Sequence, residues 1–213
     1  MSRSKSHKRR PRKKKSNTKK IVLIIALLVT VAVIIVAYNM LGNDGSSENV
    51  AGSDKVLLET SMGDILIELR DDMPITTENF KNLVQQGVYD GTIFHRVSAD
   101  FMIQGGDPAT GTWSGGSIPN IKDEFSENPE NNKNKIGTIA MANTGAPNSG
   151  ASQFFINVVY NSHLDNKHPV FGEVIEGMTV VDKISKVPTD GDPPNGANKP
   201  LEDVTLIRAQ LVD

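Results

Sequence analysis

The side chains able to do chemistry fall in a few short runs: Phe94-His95-Arg96-Val97, then Asp100 through Asp107, then Met141-Ala142-Asn143, Ser152-Gln153-Phe154-Phe155, and His163-Leu164-Asp165 with Lys167-His168. Several reaction types can be weighed on them. Cysteine is absent, which removes disulfides, zinc-thiolate sites, iron–sulfur clusters and a cysteine nucleophile. His163 and His168 lie five residues apart with only Asp165 between them as a further ligand, a poor metal set, and no metal is expected. The glycines of QGGD (104–107) and SGGS (114–117) lack the spacing of a phosphate-cradling loop and read as turns. Serine, histidine and aspartate all occur, but there is no Gly-x-Ser-x-Gly elbow, and nothing pairs a particular serine with His95 or His168. An arginine after a strand is by itself ordinarily solvated or ion-paired. The order of the runs therefore carries more than any one residue.

The elements that must position these runs are mostly strands. Short alternating or continuous apolar segments at 56–59, 64–69, 92–97, 101–104, 136–141, 153–158, 170–174 and 204–212 are separated by Gly, Pro, Asn and Asp. The first two flank Ser61-Met62-Gly63 and read as a hairpin. Two stretches have helical spacing instead. Residues 73–86 start near Pro74, put Phe80, Leu83 and Val84 on one face and meet Gly87 as a C-terminal cap. Residues 178–186 space Met178, Val181 and Ile184 likewise and stop before Pro188. Eight strands and two helices without regular alternation predict a mainly β, closed or nearly closed barrel with helices at its ends. Residues 108–135 and 188–200 read as long loops, and the SENPENNKNK stretch within the first as a solvated one. Strand alternation also puts Phe154 and Phe155 on opposite faces, so Phe154 is expected in the core and Phe155 in a site.

Charge divides the 213-residue chain further. Of 23 Lys and Arg, 11 fall within residues 1–20, a basic tail without an acidic group, leaving 12 basic against 25 acidic residues in the remainder. Residues 21–41, IVLIIALLVTVAVIIVAYNML, hold no charge and as a helix would run about 31 Å, enough to cross a bilayer core. That length exceeds the apolar region of a secretory signal, and no A-x-A follows closely, so an uncleaved single-pass signal-anchor is expected. The basic tail then stays cytoplasmic, facing anionic lipid rather than nucleic acid, and the rest of the chain is exported to a periplasmic or extracellular space. Residues 42–54, GNDGSSENVAGSD, read as a flexible linker, and 55–213 as one folded domain.

Taken together, FHRV at 94–97, DFMIQGGD at 100–107, Ile118-Pro119, Asp123-Glu124-Phe125, MAN at 141–143, SQFFI at 152–156, Leu164-Asp165, Lys167-His168 and Val170-Phe171-Gly172 resemble the cyclophilin family of peptidyl-prolyl cis-trans isomerases. The resemblance spans essentially all of residues 55–213. It implies an eight-stranded antiparallel β-barrel capped by two helices and an enzyme that assists folding by accelerating X-Pro rotation. No cofactor is implied. Amide resonance makes that rotation slow, with a barrier of about 18–20 kcal/mol. No bond is broken, so a catalyst has to favour the twisted amide, whose pyramidal prolyl nitrogen regains a lone pair able to accept a hydrogen bond.

By the resemblance, Arg96 is the cationic donor to that nitrogen, with Phe101, Gln104 and His168 beside it in the catalytic set. Met102, Phe155 and Leu164, with Phe101, wall an apolar slot for the proline ring, edged by His168. Gln104 and Gln153 by side chain and Asn143 by main chain, next to Ala142, hold the peptide backbone. His163 stands at the rim, where many members carry tryptophan, and this departure puts cyclosporin binding in doubt. The expected partners are proline-containing polypeptides among exported proteins. The rival reading is a non-catalytic module that only holds proline segments, and Arg96 speaks against it, because a pure binder needs no cation beside the prolyl nitrogen.

Overall fold

The computed structural model of the protein describes residues 54–112, 116–192 and 197–213. The basic tail, the apolar segment 21–41 and nearly all of the linker lie outside the described residues. Among those that are described, no helix is long and apolar enough to cross a membrane.

Strands β1 (Lys55–Thr60) and β2 (Gly63–Leu69) form the expected hairpin, with Thr60 facing Gly63 across the two-residue turn. The Thr60 hydroxyl donates to the Gly63 carbonyl at 2.6 Å and accepts from the Met62 N–H at 3.1 Å, which fastens the turn from within. Alternation buries Val56, Leu58, Ile65 and Ile67 on one face. The remaining strands are β3 (Thr92–Ile93), β4 (Arg96–Val97), β5 (Met102–Gly105), β6 (Thr138–Met141), β7 (Phe154–Asn157), β8 (Val170–Glu176) and β9 (Thr205–Val212). All pairings are antiparallel, in the spatial order β3-β9-β1-β2-β8-β6-β7-β5-β4.

The strand expected at 92–97 is divided in two. Its first half pairs with β9 and its second with β5, at opposite edges of the sheet. Only Phe94 and His95 separate the halves, so the two edges lie within about 11 Å of each other, the reach of three extended residues. One covalent segment thereby draws the sheet round into a curl, which is why the sequence reads as eight strands and the ladder counts nine.

Helix α1 (Pro74–Gln85) turns Thr76, Thr77, Phe80, Leu83 and Val84 inward and gives way to Gly87, which is left-handed at φ 68°. Its N-cap residue, Met73, has no capping side chain; the Glu124 carboxylate takes that role, accepting from the N–H groups of Ile75 (3.2 Å) and Thr76 (3.0 Å). Helix α2 (Met178–Ser185) buries Val181 and Ile184. The Phe80 ring contacts Tyr89, Phe154 and Phe171 at centroid distances of 5.1, 5.6 and 5.1 Å, and this aromatic knot anchors the core inside the curl. Tyr89 is tolerated there because its hydroxyl donates to the Ser152 carbonyl at 3.0 Å, and burial pushes its pKa well above 10.

The two long loops contain local order, including 3₁₀ turns at Pro108–Thr110 and Pro129–Asn132 and an isolated bridge between Thr189 and Pro200. The expectation that SENPENNKNK is simply solvated needs correction. Asn132 and Asn134 within it are buried. Asn132 exchanges hydrogen bonds with the Ser126 N–H and carbonyl, both at 2.8 Å, so its burial follows from backbone polar groups that the loop itself must satisfy.

Candidate active site

The site arises from the outward faces of strands whose inward faces make the core. On β5, Ile103 points in, while Met102 and Gln104 point out. On β7, Phe154 and Ile156 enter the core and Phe155 faces away, as alternation predicts. On β6 the outward residue is Ala140, and on β8 it is Val170. Register then places Arg96 opposite Gln104, Gln104 opposite Phe155, Phe155 opposite Ala140, and Ala140 opposite Val170. One row across five strands therefore runs from a guanidinium through an amide to an apolar floor.

Above this row lies a cavity of about 270 Å³ lined by Arg96, Phe101, Met102, Gln104, Ala142, Asn143, Phe155, Leu164 and His168. Nine of the eleven residues singled out in the sequence thus meet in one place. It suits one ring with flanking backbone rather than a large ligand. The Arg96 guanidinium lies 5.5 Å from the Phe101 centroid, and among the described residues no carboxylate pairs with it. Its donors stay available to a ligand, while the ring limits where the cation can sit.

Gln153 and His163 are in the neighbourhood but not on the cavity wall. Gln153 accepts from the Gln104 amide at 2.9 Å and so orients the wall residue. His163 is exposed and stacks on Phe101, with 5.6 Å between centroids and 22° between planes. The Asn143 side chain is engaged, donating to the Lys167 carbonyl at 2.9 Å and accepting from the Gly145 N–H at 3.0 Å. Those bonds hold its main chain at the cavity.

His168 packs edge-on to Phe155 at 5.3 Å, and its Nδ1 lies 3.1 Å from the Met141 carbonyl. A carbonyl only accepts, so Nδ1 carries the proton and Nε2 of the neutral ring is an acceptor. Burial pushes the His168 pKa below 6.5; the Met141 bond opposes this, and the charges of His163 and Lys167 add to it. His95 is likewise lowered, first by burial. Its Nδ1 is buried and has no hydrogen-bond partner among the described residues.

Two sequence alternatives can be set against this geometry. Among the described residues no serine hydroxyl bonds to His95 or His168, and no group of three potential ligands converges on a metal position. His163 stacks on Phe101, whereas His168 meets Phe155 edge-on, so the two imidazoles pack against different rings. Sequence reasoning passed over Asn157 and Asn161, which lie buried behind the cavity. The available signal was an asparagine two residues after Phe155, on the same face of an otherwise apolar strand.

A curled antiparallel sheet with two helices and an arginine-edged apolar slot on its outward face is the architecture of a cyclophilin. Residues 55–211 match the family model described as cyclophilin type peptidyl-prolyl cis-trans isomerase/CLD. The chain is 43% identical over 159 residues to the peptidyl-prolyl cis-trans isomerase-like 1 of Neurospora crassa, covering 74% of this chain and 93% of that protein. Its human namesake is 44% identical over 156 residues, covering 72% and 90%. A crystal structure of a cyclophilin type isomerase from Cryptosporidium parvum superposes with a TM-score of 0.66 at 28% identity, covering 76% of this chain and 98% of that one. Another, determined in the presence of the dipeptide Ala-Pro, gives 0.64 at 28% identity, covering 75% and 99%. The chain belongs to the cyclophilin-type peptidyl-prolyl cis-trans isomerase family, and its activity is prolyl isomerisation in the service of protein folding.

Proposed function

We propose that the isomerase works by stabilising a twisted X-Pro amide with Arg96 above the apolar slot, and that its clients are exported proteins. The observation that carries the mechanism is the row from Arg96 to Phe155: a guanidinium with no carboxylate partner among the described residues, beside Gln104 and next to a floor and walls of Phe155, Met102, Phe101 and Leu164. The proline ring fills the slot, and the peptide backbone meets the Gln104 amide and the Asn143 main chain. With one end of the amide fixed, the other turns. As the prolyl nitrogen becomes pyramidal, a guanidinium N–H donates to its lone pair. That bond is absent in the planar ground state, so it lowers the barrier instead of merely tightening binding. Neutral His168 closes the slot without adding a second cation that would compete for the same lone pair. A solved relative was crystallised in the presence of Ala-Pro, a dipeptide of the chemistry that suits this slot.

The export half of the reading rests on residues 1–41, a basic tail followed by 21 uncharged residues. The mechanism is tested by measuring X-Pro isomerisation with wild-type protein and Arg96→Ala; equal rates from two folded proteins would remove Arg96 from it. The location is tested by fusing a reporter after Asp213. Protease sensitivity of the reporter in intact spheroplasts supports export, and protection refutes it.

A further inference from the structure

The cavity has two walls that come from distant parts of the chain: Phe101, at the entrance to β5, and Leu164, in the 3₁₀ turn Ser162–Leu164. A slot that grips one ring needs a fixed distance between them. Both walls converge on one buried residue outside the cavity.

Asn161 is 4% exposed, and both hydrogens of its amide are spent. One goes to the Phe101 carbonyl at 2.9 Å, and the other to the Asn157 Oδ1 at 2.7 Å. The Asn161 carbonyl accepts from the Leu164 N–H at 2.9 Å, and the Asn161 N–H donates to the Asn134 carbonyl at 2.9 Å. Asn161 thus touches the backbone of both walls, one through its side chain and the other through its main chain.

The support beneath it is equally definite. Asn157 is 0% exposed and sits on the outward face of β7, two residues beyond Phe155. Its amide donates to the Thr138 hydroxyl of β6 at 2.9 Å, with the Asn134 Oδ1 at 3.2 Å. Asp165, next to Leu164, fastens the outer side: Oδ1 accepts from the Asn134 N–H and Oδ2 from the Tyr160 hydroxyl, each at 2.8 Å. The loop wall is therefore referenced to the sheet through buried amides. Amides suit this task because each offers a donor and an acceptor in one rigid plane. In a buried setting, breaking one bond strands its partner, so the arrangement resists partial opening.

We infer that Asn161, braced by Asn157, is a positioning residue that sets the width of the proline slot by tying Phe101 to Leu164. It does not touch substrate, and it leaves the Arg96–Gln104 side unchanged. The inference rests on the proline-slot reading above. Removing the side chain should loosen the grip on the ring in ground state and transition state alike. A loss of that kind raises KM and leaves kcat in place.

The test uses the full chain, purified in the detergent that its apolar segment requires, and a chromogenic tetrapeptide with one X-Pro bond. For Asn161→Ala, KM should rise roughly fivefold or more with kcat held within about a factor of two, measured well below the melting temperature. Asn161→Ser, whose hydroxyl keeps one donor, should fall between Ala and wild type, and it replaces Ala if that variant does not fold. Unchanged KM in a folded variant, with or without a lower melting temperature, would reduce Asn161 to a structural residue and overturn the inference. A fall in kcat at constant KM would overturn it too. Failure of the slot reading is distinguishable, because wild type itself would then show no saturable isomerisation of the peptide.

Discussion

Replacing Arg96 with alanine separates catalysis from folding in a way the geometry allows to be sized. The guanidinium is half-buried at the cavity mouth, lies over Phe101 at 5.5 Å and has no carboxylate partner among the described residues. Losing one preorganised donor to developing charge or lone-pair density costs about 2.7–4 kcal/mol, or roughly 10²–10³ in rate. Water reaches the mouth and weakens each electrostatic contact there, so the lower end applies and a loss of about 100-fold in kcat/KM is expected. Stability should barely move. The contact with Phe101 is worth about 0.5–1 kcal/mol at a half-open position, and a change of that size shifts the melting temperature of a domain this long by only about 2–4 °C. Arg96→Lys keeps the charge and loses the planar fork, so its activity should fall between the two. The assay is protease-coupled isomerisation of an X-Pro peptide, run beside near-UV circular dichroism and a thermal melt. A folded Arg96→Ala protein with kcat/KM within about threefold of wild type would refute the reasoning, since that difference is too small for a lost transition-state bond.

Three further outcomes follow from other parts of the molecule. Glu124→Ala removes the carboxylate that caps α1 from a distant loop, and should lower stability by about 0.5–2 kcal/mol in a urea titration, with Glu124→Gln milder. Both His168 and His95 have native pKa values below 6.5, so the native state holds fewer protons than the unfolded one once the pH drops beneath that value. Stability is then complete above pH 6.5 and declines as the pH falls toward the depressed native values; urea midpoints at several pH values check the slope, and NMR titration of the His168 ring should give a midpoint below 6.5. Gly106 is left-handed at φ 79°, and a Cβ there would sit 2.8 Å from both the Ser152 carbonyl oxygen and the Phe154 ring, so Gly106→Ala should destabilise by about 1–3 kcal/mol or more, read as a lowered melting temperature.

The family and its chemistry were legible because they depend on residue types at short range. Alternation alone separates Phe154 from Phe155, and helical spacing alone groups Phe80, Leu83 and Val84. These are local periodicities, fixed by backbone geometry before any tertiary contact forms. What local pattern could not reveal is which distant backbone groups need partners. Residues 92–97 read as a single strand, because nothing in six residues tells that the two halves serve opposite edges of the sheet. SENPENNKNK read as solvent-exposed, because polarity normally marks a surface, and only folding brings the Asn134 side chain to Asn157 in the interior. Glu124 looks like any surface acid until α1 arrives with unpaired N–H groups. Thus the sequence by itself determined the strand and helix faces, the cluster of Arg96 with its slot residues, and the basic and apolar character of residues 1–41. Only the tertiary structure decided the row from Arg96 to Val170, the retreat of Gln153 and His163 from the cavity wall, and the role of Asn161 between Phe101 and Leu164. The physical reason is that hydrogen-bond satisfaction and strand register are settled between segments far apart in the chain, whereas periodicity is settled within each one.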